Sequence, residues 1–296
     1  STQSRSSAAS DVYKRQLMNQ KNTKVITIAN HKGGCGKTAT VVHLAAELAQ
    51  LDLSVLVIDL DPQGNASTHI GIKHPSEVSV TIKDLLLGGY SKLVEAVQEE
   101  TNFKGVHLIS SSLSLTTEED KIKDNEPRPL EVLGRIIKPL LGVYDVILID
   151  TPPSLRTLTG NALSCATDYI IPIFSGSQYG MYGVLDLQAY IEKIRYINPN
   201  LNLLGALLIR HDERQLMCRA IKESAKEQIG KVIPIDISSS NNIDKSAALK
   251  VSIREVDATA KIARKFRQLA IWVAKETGLK PELQLTTVIE GEEEND

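Results

Sequence analysis

The stretch Val25-Ile26-Thr27-Ile28-Ala29-Asn30-His31-Lys32-Gly33-Gly34-Cys35-Gly36-Lys37-Thr38 decides the fold. It opens with a β-branched apolar run and turns through three glycines. A helical pattern then follows over 38–51. A strand, a glycine-rich turn and a helix in that order place a row of backbone N–H groups at the helix N-terminus, where an anion is favoured. Gly33, Gly34 and Gly36 let the turn tighten, Lys37 supplies a cation for phosphate oxygens, and the Thr38 hydroxyl is a hard-metal ligand.

Working outward, the same alternation continues. Strands are expected at 25–29, 55–59, 107–110, 146–150, 169–174, 203–209 and 231–234, with helices at 38–51, 130–140, 157–165, 183–196, 214–229 and 257–277. Short apolar strands separated by helices predict an α/β fold: a doubly wound, mainly parallel sheet flanked by helices on both faces. Ligands in such sheets bind where strands end and helices begin. The chain has 296 residues, 42% of them hydrophobic but only 4% aromatic, so Ile, Leu and Val must fill the core.

Residues 1–22 are Ser-rich and aperiodic, and read as a disordered extension, native or carried in from upstream, with Met18 as a natural start. Residues 23–280 read as one domain and 281–296 as an acidic tail. No apolar run reaches the ~20 residues of a membrane span, and the polar opening does not read as a signal peptide. Cys35, Cys165 and Cys218 have neither disulfide nor metal-ligand spacing, which suits reduced thiols in the cytoplasm.

Two further strand ends carry acids. The second expected strand runs into Asp59-Leu60-Asp61-Pro62-Gln63-Gly64-Asn65, and the fourth closes Val146-Ile147-Leu148-Ile149-Asp150-Thr151-Pro152-Pro153. Four apolar residues ending in an Asp fit a carboxylate that holds Mg²⁺ beside a phosphate loop. Turn chemistry alone also favours Asp and Gly, and Asp59 could serve mainly that way.

The general loop pattern has Gly where this chain has His31, followed by a second lysine, Lys32. KGGCGKT, DLDPQGN and DVILIDTPPSLRTLTGNAL together resemble the deviant Walker A ATPases of the ParA/MinD superfamily, and the likeness runs through most of 24–280. The resemblance implies the following roles. Lys32 reaches across an ATP-dependent homodimer to the partner's nucleotide, and Lys37 neutralises phosphate charge. Asp61 activates or positions the attacking water, while Thr38, Asp59 and Asp150 form the Mg²⁺ side. The backbone from Gly33 through Cys35 to Ala39 cradles phosphates, and residues 151–158 sense the γ-phosphate. Arg210, Pro234 and Asp236 lie among the nucleotide contacts, with Asp212-Glu213-Arg214 at a family D-x-R position. No NKxD box for guanine is present, so the expected cofactors are ATP and Mg²⁺. At Gln178 the chain departs from the glutamate that many members carry before the aromatic.

Net charge is −2, yet in residues 245–267 the cations Lys245, Lys250, Arg254, Lys261, Arg264, Lys265 and Arg267 stand against only Glu255 and Asp257, a local +5. Such an excess can neutralise DNA phosphates without reading bases. It can equally be the solvated face of a helix that buries Ile262, Phe266, Leu269 and Val273. The resemblance implies a short ParA-type partition ATPase, nucleoid-associated, binding non-specific double-stranded DNA and stimulated by a ParB-like partner. The alternatives are a MinD-like regulator of a non-DNA cargo, or a metallochaperone-type ATPase. The acidic tail argues against membrane binding.

Overall fold

The computed structural model describes residues 22–280. The extension expected over 1–22, apart from Asn22, and the acidic tail over 281–296 lie outside the described residues. Seven strands are present among the described residues: β1 (Lys24–Ile28), β2 (Val55–Asp59), β3 (Val97–Gln98), β4 (Val106–Ile109), β5 (Val146–Asp150), β6 (Asp168–Phe174) and β7 (Asn202–Ile209). They form one sheet in the order β3-β4-β2-β5-β1-β6-β7, parallel throughout except for the antiparallel edge strand β3.

Period-2 alternation explains why this sheet is covered on both faces. Val55 and Val57 of β2, with Val146 and Leu148 of β5, point into one apolar layer; Leu56, Ile58, Ile147 and Ile149 point into the other. The first layer is closed by α1 (Lys37–Ala49), α2 (Asn65–Ile70) and α12 (Lys261–Glu276). The second layer is closed by α3 (Ile82–Gly88), α5 (Leu115–Asn125), α6 (Val132–Ile137), α7 (Thr157–Cys165), α8 (Val184–Ile194) and α9 (Leu216–Ile229). Shorter helices are α4 (Leu93–Ala96), α10 (Asn242–Leu249) and α11 (Ile253–Val256). No helix among the described residues is long and apolar enough to cross a membrane.

One expected strand is absent. Residues 231–234 make no strand but run beside β7 through isolated bridges, Ala206 with Val232 and Ile209 with Ile237. Pro234, between the two bridges, has no N–H to give to a ladder. The bonds that remain are Ile233 N–H to Ala206 O at 2.9 Å and Ile237 N–H to Leu208 O at 2.8 Å. The segment thus shields the open edge of β7 without joining the sheet.

Candidate nucleotide site

The loop between β1 and α1 is shaped by three local features. Asn30, buried at the end of β1, donates from Nδ2 to Pro172 O at 2.7 Å and accepts Lys32 N–H on Oδ1 at 3.0 Å. Gly34 and Gly36 sit at positive φ, 69° and 91°. A Cβ on Gly36 would lie 3.0 Å from Ile209 Cγ2, so this glycine is required both by conformation and by the close passage of β7. Cys35 is buried with its Sγ on Lys32 O at 3.1 Å. Lys37 lies nearly out of solvent, its Nζ donating to the same carbonyl at 3.1 Å. Ala39, one residue beyond Thr38, lines a 270 Å³ cavity with Thr38, His43, Asn65 and His69.

The acids converge because the register brings them together: Asp59 and Asp150 are direct partners across β2 and β5. Thr38 Oγ1 donates to Asp150 Oδ2 at 2.7 Å, while the fully buried Asp150 Oδ1 has no partner. Burial, and next the facing Asp59 charge, hold the Asp150 carboxyl well above the usual carboxylate range. Burial likewise pushes Asp59 up to about 6 against hydrogen bonds from Ser67 that favour its charged form. A hydroxyl, a carboxylate and an orphaned buried oxygen at one point fit a hard divalent cation. Thr38 and Asp150 would hold it.

Asp59 is differently engaged. Its Oδ1 accepts Asp61 N–H at 3.0 Å, and its Oδ2 accepts Ser67 N–H at 2.8 Å and Ser67 Oγ–H at 2.7 Å. Asp61 follows in a buried turn, its Oδ1 accepting Gln63 N–H at 3.0 Å.

Lys32 points to the other side of the loop. Its Nζ donates to Tyr179 O at 2.9 Å and lies 5.7 Å from the Phe174 ring centre. Arg210, held at φ 53°, places its guanidinium 5.4 Å from the same ring. These two expected nucleotide residues therefore contact the same aromatic ring. An open groove of 560 Å³ adjoins them, lined by His31, Lys32, Tyr179, Tyr182 and Leu185 among others. Asp236 pairs with Lys265 at 3.2 Å, and Pro234 is exposed; Ile209, which packs over Gly36, bridges to Ile237 just beyond them. Arg214 folds back onto Asp212 in a two-pronged pair at 3.0 and 2.9 Å.

The basic stretch is less uniform than its sequence suggests. Ile262, Phe266, Leu269 and Val273 are all buried, leaving Lys261 and Arg264 exposed on α12 and Lys245 exposed on α10. Lys250 sits at φ 53° after α10, and Arg267 is half-buried. Arg254, by contrast, reaches the buried Glu47 of α1, Nε to Oε1 at 3.0 Å, and Lys265 is taken by Asp236. Ser67, which bonds Asp59, and Ser111, whose hydroxyl donates to Asp61 O at 2.6 Å, surround the acids but were not singled out in the sequence, because isolated serines carry no motif.

A glycine-rich loop capping a helix, with a lysine folded over the loop and a threonine and a buried Asp beside it, defines a P-loop nucleotide-binding protein. Residues 23–203 match the family model AAA_31, an AAA domain. The chain is 33% identical over 247 residues to the chromosome-partitioning ATPase Soj of Thermus thermophilus, covering 83% of this chain and 93% of that protein. It is 34% identical over 215 residues to the chromosome partitioning protein ParA of Myxococcus xanthus, covering 71% of this chain and 74% of that one. Among solved structures, cobyrinic acid a,c-diamide synthase from Mycobacterium smegmatis with bound ATP analog and magnesium is similar at TM-score 0.75 and 29% identity, covering 86% of this chain and 95% of that one. The chain belongs to the ParA/MinD-type P-loop ATPases.

Proposed function

We propose that this protein is a Mg²⁺-dependent ATPase of the partition type, an ATP-driven switch that closes as a homodimer, holds DNA non-specifically and releases it on hydrolysis. The observation that carries the ATPase reading is the contact of Thr38 with Asp150 beside the loop, with Asp61 bonded through its N–H to Asp59, the strand partner of Asp150. Mg²⁺ on Thr38 and Asp150 would supply charge neutralisation at the β- and γ-phosphates. Backbone N–H groups of residues 33–38 bind the phosphates, and Lys37 adds its charge to them. Asp61 orients the attacking water. Relatives named as partitioning proteins, and a similar structure holding an ATP analog with magnesium, support this reading.

Lys32 belongs to the dimer step. It lies on an open groove, not buried with Lys37, which suits a cation that meets a second subunit's nucleotide. Lys245, Lys261 and Arg264 are the exposed cations proposed to meet DNA phosphates. Two copies in a closed dimer double that patch, which ties DNA affinity to the nucleotide state. A ParB-like partner that speeds hydrolysis would set the dwell time, and the protein would work on the nucleoid in the cytoplasm. Co-sedimentation with random duplex DNA at low salt, with ATP, ADP or no nucleotide, tests the output. Retention with ATP alone is expected. Equal retention in all three, or none, would sink the DNA switch and favour a regulator of a non-DNA cargo.

A further inference from the structure

Asp61 is held by a closed, buried hydrogen-bonded ring. Its N–H donates to Asp59 Oδ1 at 3.0 Å. Asp59 Oδ2 accepts from Ser67 Oγ at 2.7 Å, and Ser67 Oγ in turn accepts Ser111 N–H at 2.8 Å. The Ser111 hydroxyl closes the ring by donating to Asp61 O at 2.6 Å. Asp59, Ser67 and Ser111 are each fully buried. The ring draws on three separate pieces of chain: the end of β2 and the turn after it, the first turn of α2, and the second residue after the end of β4.

We propose that Ser111, acting with Ser67 and Asp59, is a positioning residue for hydrolysis: it fixes the peptide of Asp61 so that its carboxylate meets the attacking water. The inference rests on the ATPase reading above. It also moves Asp59 from the metal side to this ring. Both of its carboxylate oxygens are engaged by three donors of its own chain, whereas Asp150 keeps one oxygen unpartnered. Asp61 would otherwise hang on a Pro/Gly turn, and turns are where backbones give way. Fixing both ends of its peptide removes that freedom before the nucleotide arrives, the preorganisation that a reacting geometry needs.

Ser111→Ala tests this with small disturbance, since it deletes one hydroxyl and leaves the backbone N–H that serves Ser67. Asp61 O keeps its bond from Gly64 N–H at 2.9 Å. Misplacing a reacting group by about 1 Å can cost about 100-fold, so a looser hold is expected to lower kcat by roughly 10-fold while ATP affinity stays within about 2-fold. The double variant Ser111→Ala/Asp61→Ala is expected to be no slower than Asp61→Ala alone, because the serine acts only through the aspartate. Undiminished turnover in Ser111→Ala, an equal loss of ATP binding and turnover, or a further loss in the double variant would overturn the proposal. Wild-type turnover measured alongside separates the two levels. If wild type does not hydrolyse Mg²⁺-ATP, the ATPase reading itself fails, whatever Ser111→Ala does.

Discussion

At the scale of single residues, the site stores electrostatic cost. Asp59 and Asp150 face each other without solvent, and both titrate above the ordinary carboxylate range, chiefly because of burial. A carboxyl whose folded pKa is raised favours the folded state fully below its unfolded value near 4, and that contribution is lost as pH rises through the folded pKa. For Asp59 the window runs from about 4 to about 6; for Asp150 it extends higher. Replacing Asp150 by Asn removes one of the two charges. The nucleotide-free Asp150→Asn protein is therefore expected to melt above wild type by on the order of 5 °C at pH 8, with the gap closing toward pH 4. Scanning calorimetry across that range checks it, and a constant or reversed gap would contradict the sign. A cation at Asp150 relieves the same repulsion, so binding Mg²⁺ with ATP near pH 6 is expected to release protons. Calorimetric titrations in buffers of different ionisation enthalpy read that release directly.

Elements differ in how plainly the sequence announced them. β2, β5 and α7 were legible to the residue, since each strand is an unbroken apolar run with a sharp stop, an Asp before a turn, and the helix stops at Ala166 before a new strand. α5 was not legible. Only Leu115, Glu119 and Ile122 are buried along its length, and a buried Glu breaks the apolar pattern. The structure explains that Glu: its Oε1 accepts Leu158 N–H at 3.0 Å, capping the first turn of α7 beyond the loop that leaves Asp150. Glu119→Ala is expected to cost about 1–2 kcal/mol and to speed amide exchange at Leu158. Arg156→Ala, which loses only half-exposed pairs to Glu119 and Asp120, should do much less. The phosphate loop and the two strand-end acids were likewise legible, because motifs fix both residue type and spacing. The serine ring was hidden, since it joins residues up to 50 positions apart. So was the division of the basic stretch, because the partner of Arg254 is Glu47 in another helix.

At the scale of the whole molecule, that division decides which cations can act at a distance. Arg254→Ala would strand the buried Glu47 charge, and breaking a buried pair costs about 3–5 kcal/mol, less here because Arg254 is partly exposed. Its expected effect is on denaturant midpoint, so lost DNA binding in that variant would be uninformative. Lys245 and Lys261 to Ala together should leave the midpoint within about 1 kcal/mol and flatten the dependence of DNA affinity on log salt by up to about 2 units per subunit. A cluster around His43 joins this region to the nucleotide side. Its ring packs 4.9 Å from Phe266 of α12 and 5.7 Å from His69 of α2, and His69 bonds Val251 O at 2.9 Å. Burial pushes His43 down to about 3, so that ring stays neutral at ordinary pH, and burial lowers His69 as well.

The proposed function requires that the loop and Asp61 form a hydrolytic site, and not one for binding alone. Equilibrium ATP binding and steady-state Mg²⁺-ATP turnover of Asp61→Ala, run side by side with wild type, test it most directly. Affinity within about 3-fold of wild type and turnover lowered by at least about 100-fold are expected. Turnover equal to wild type at unchanged affinity would contradict it.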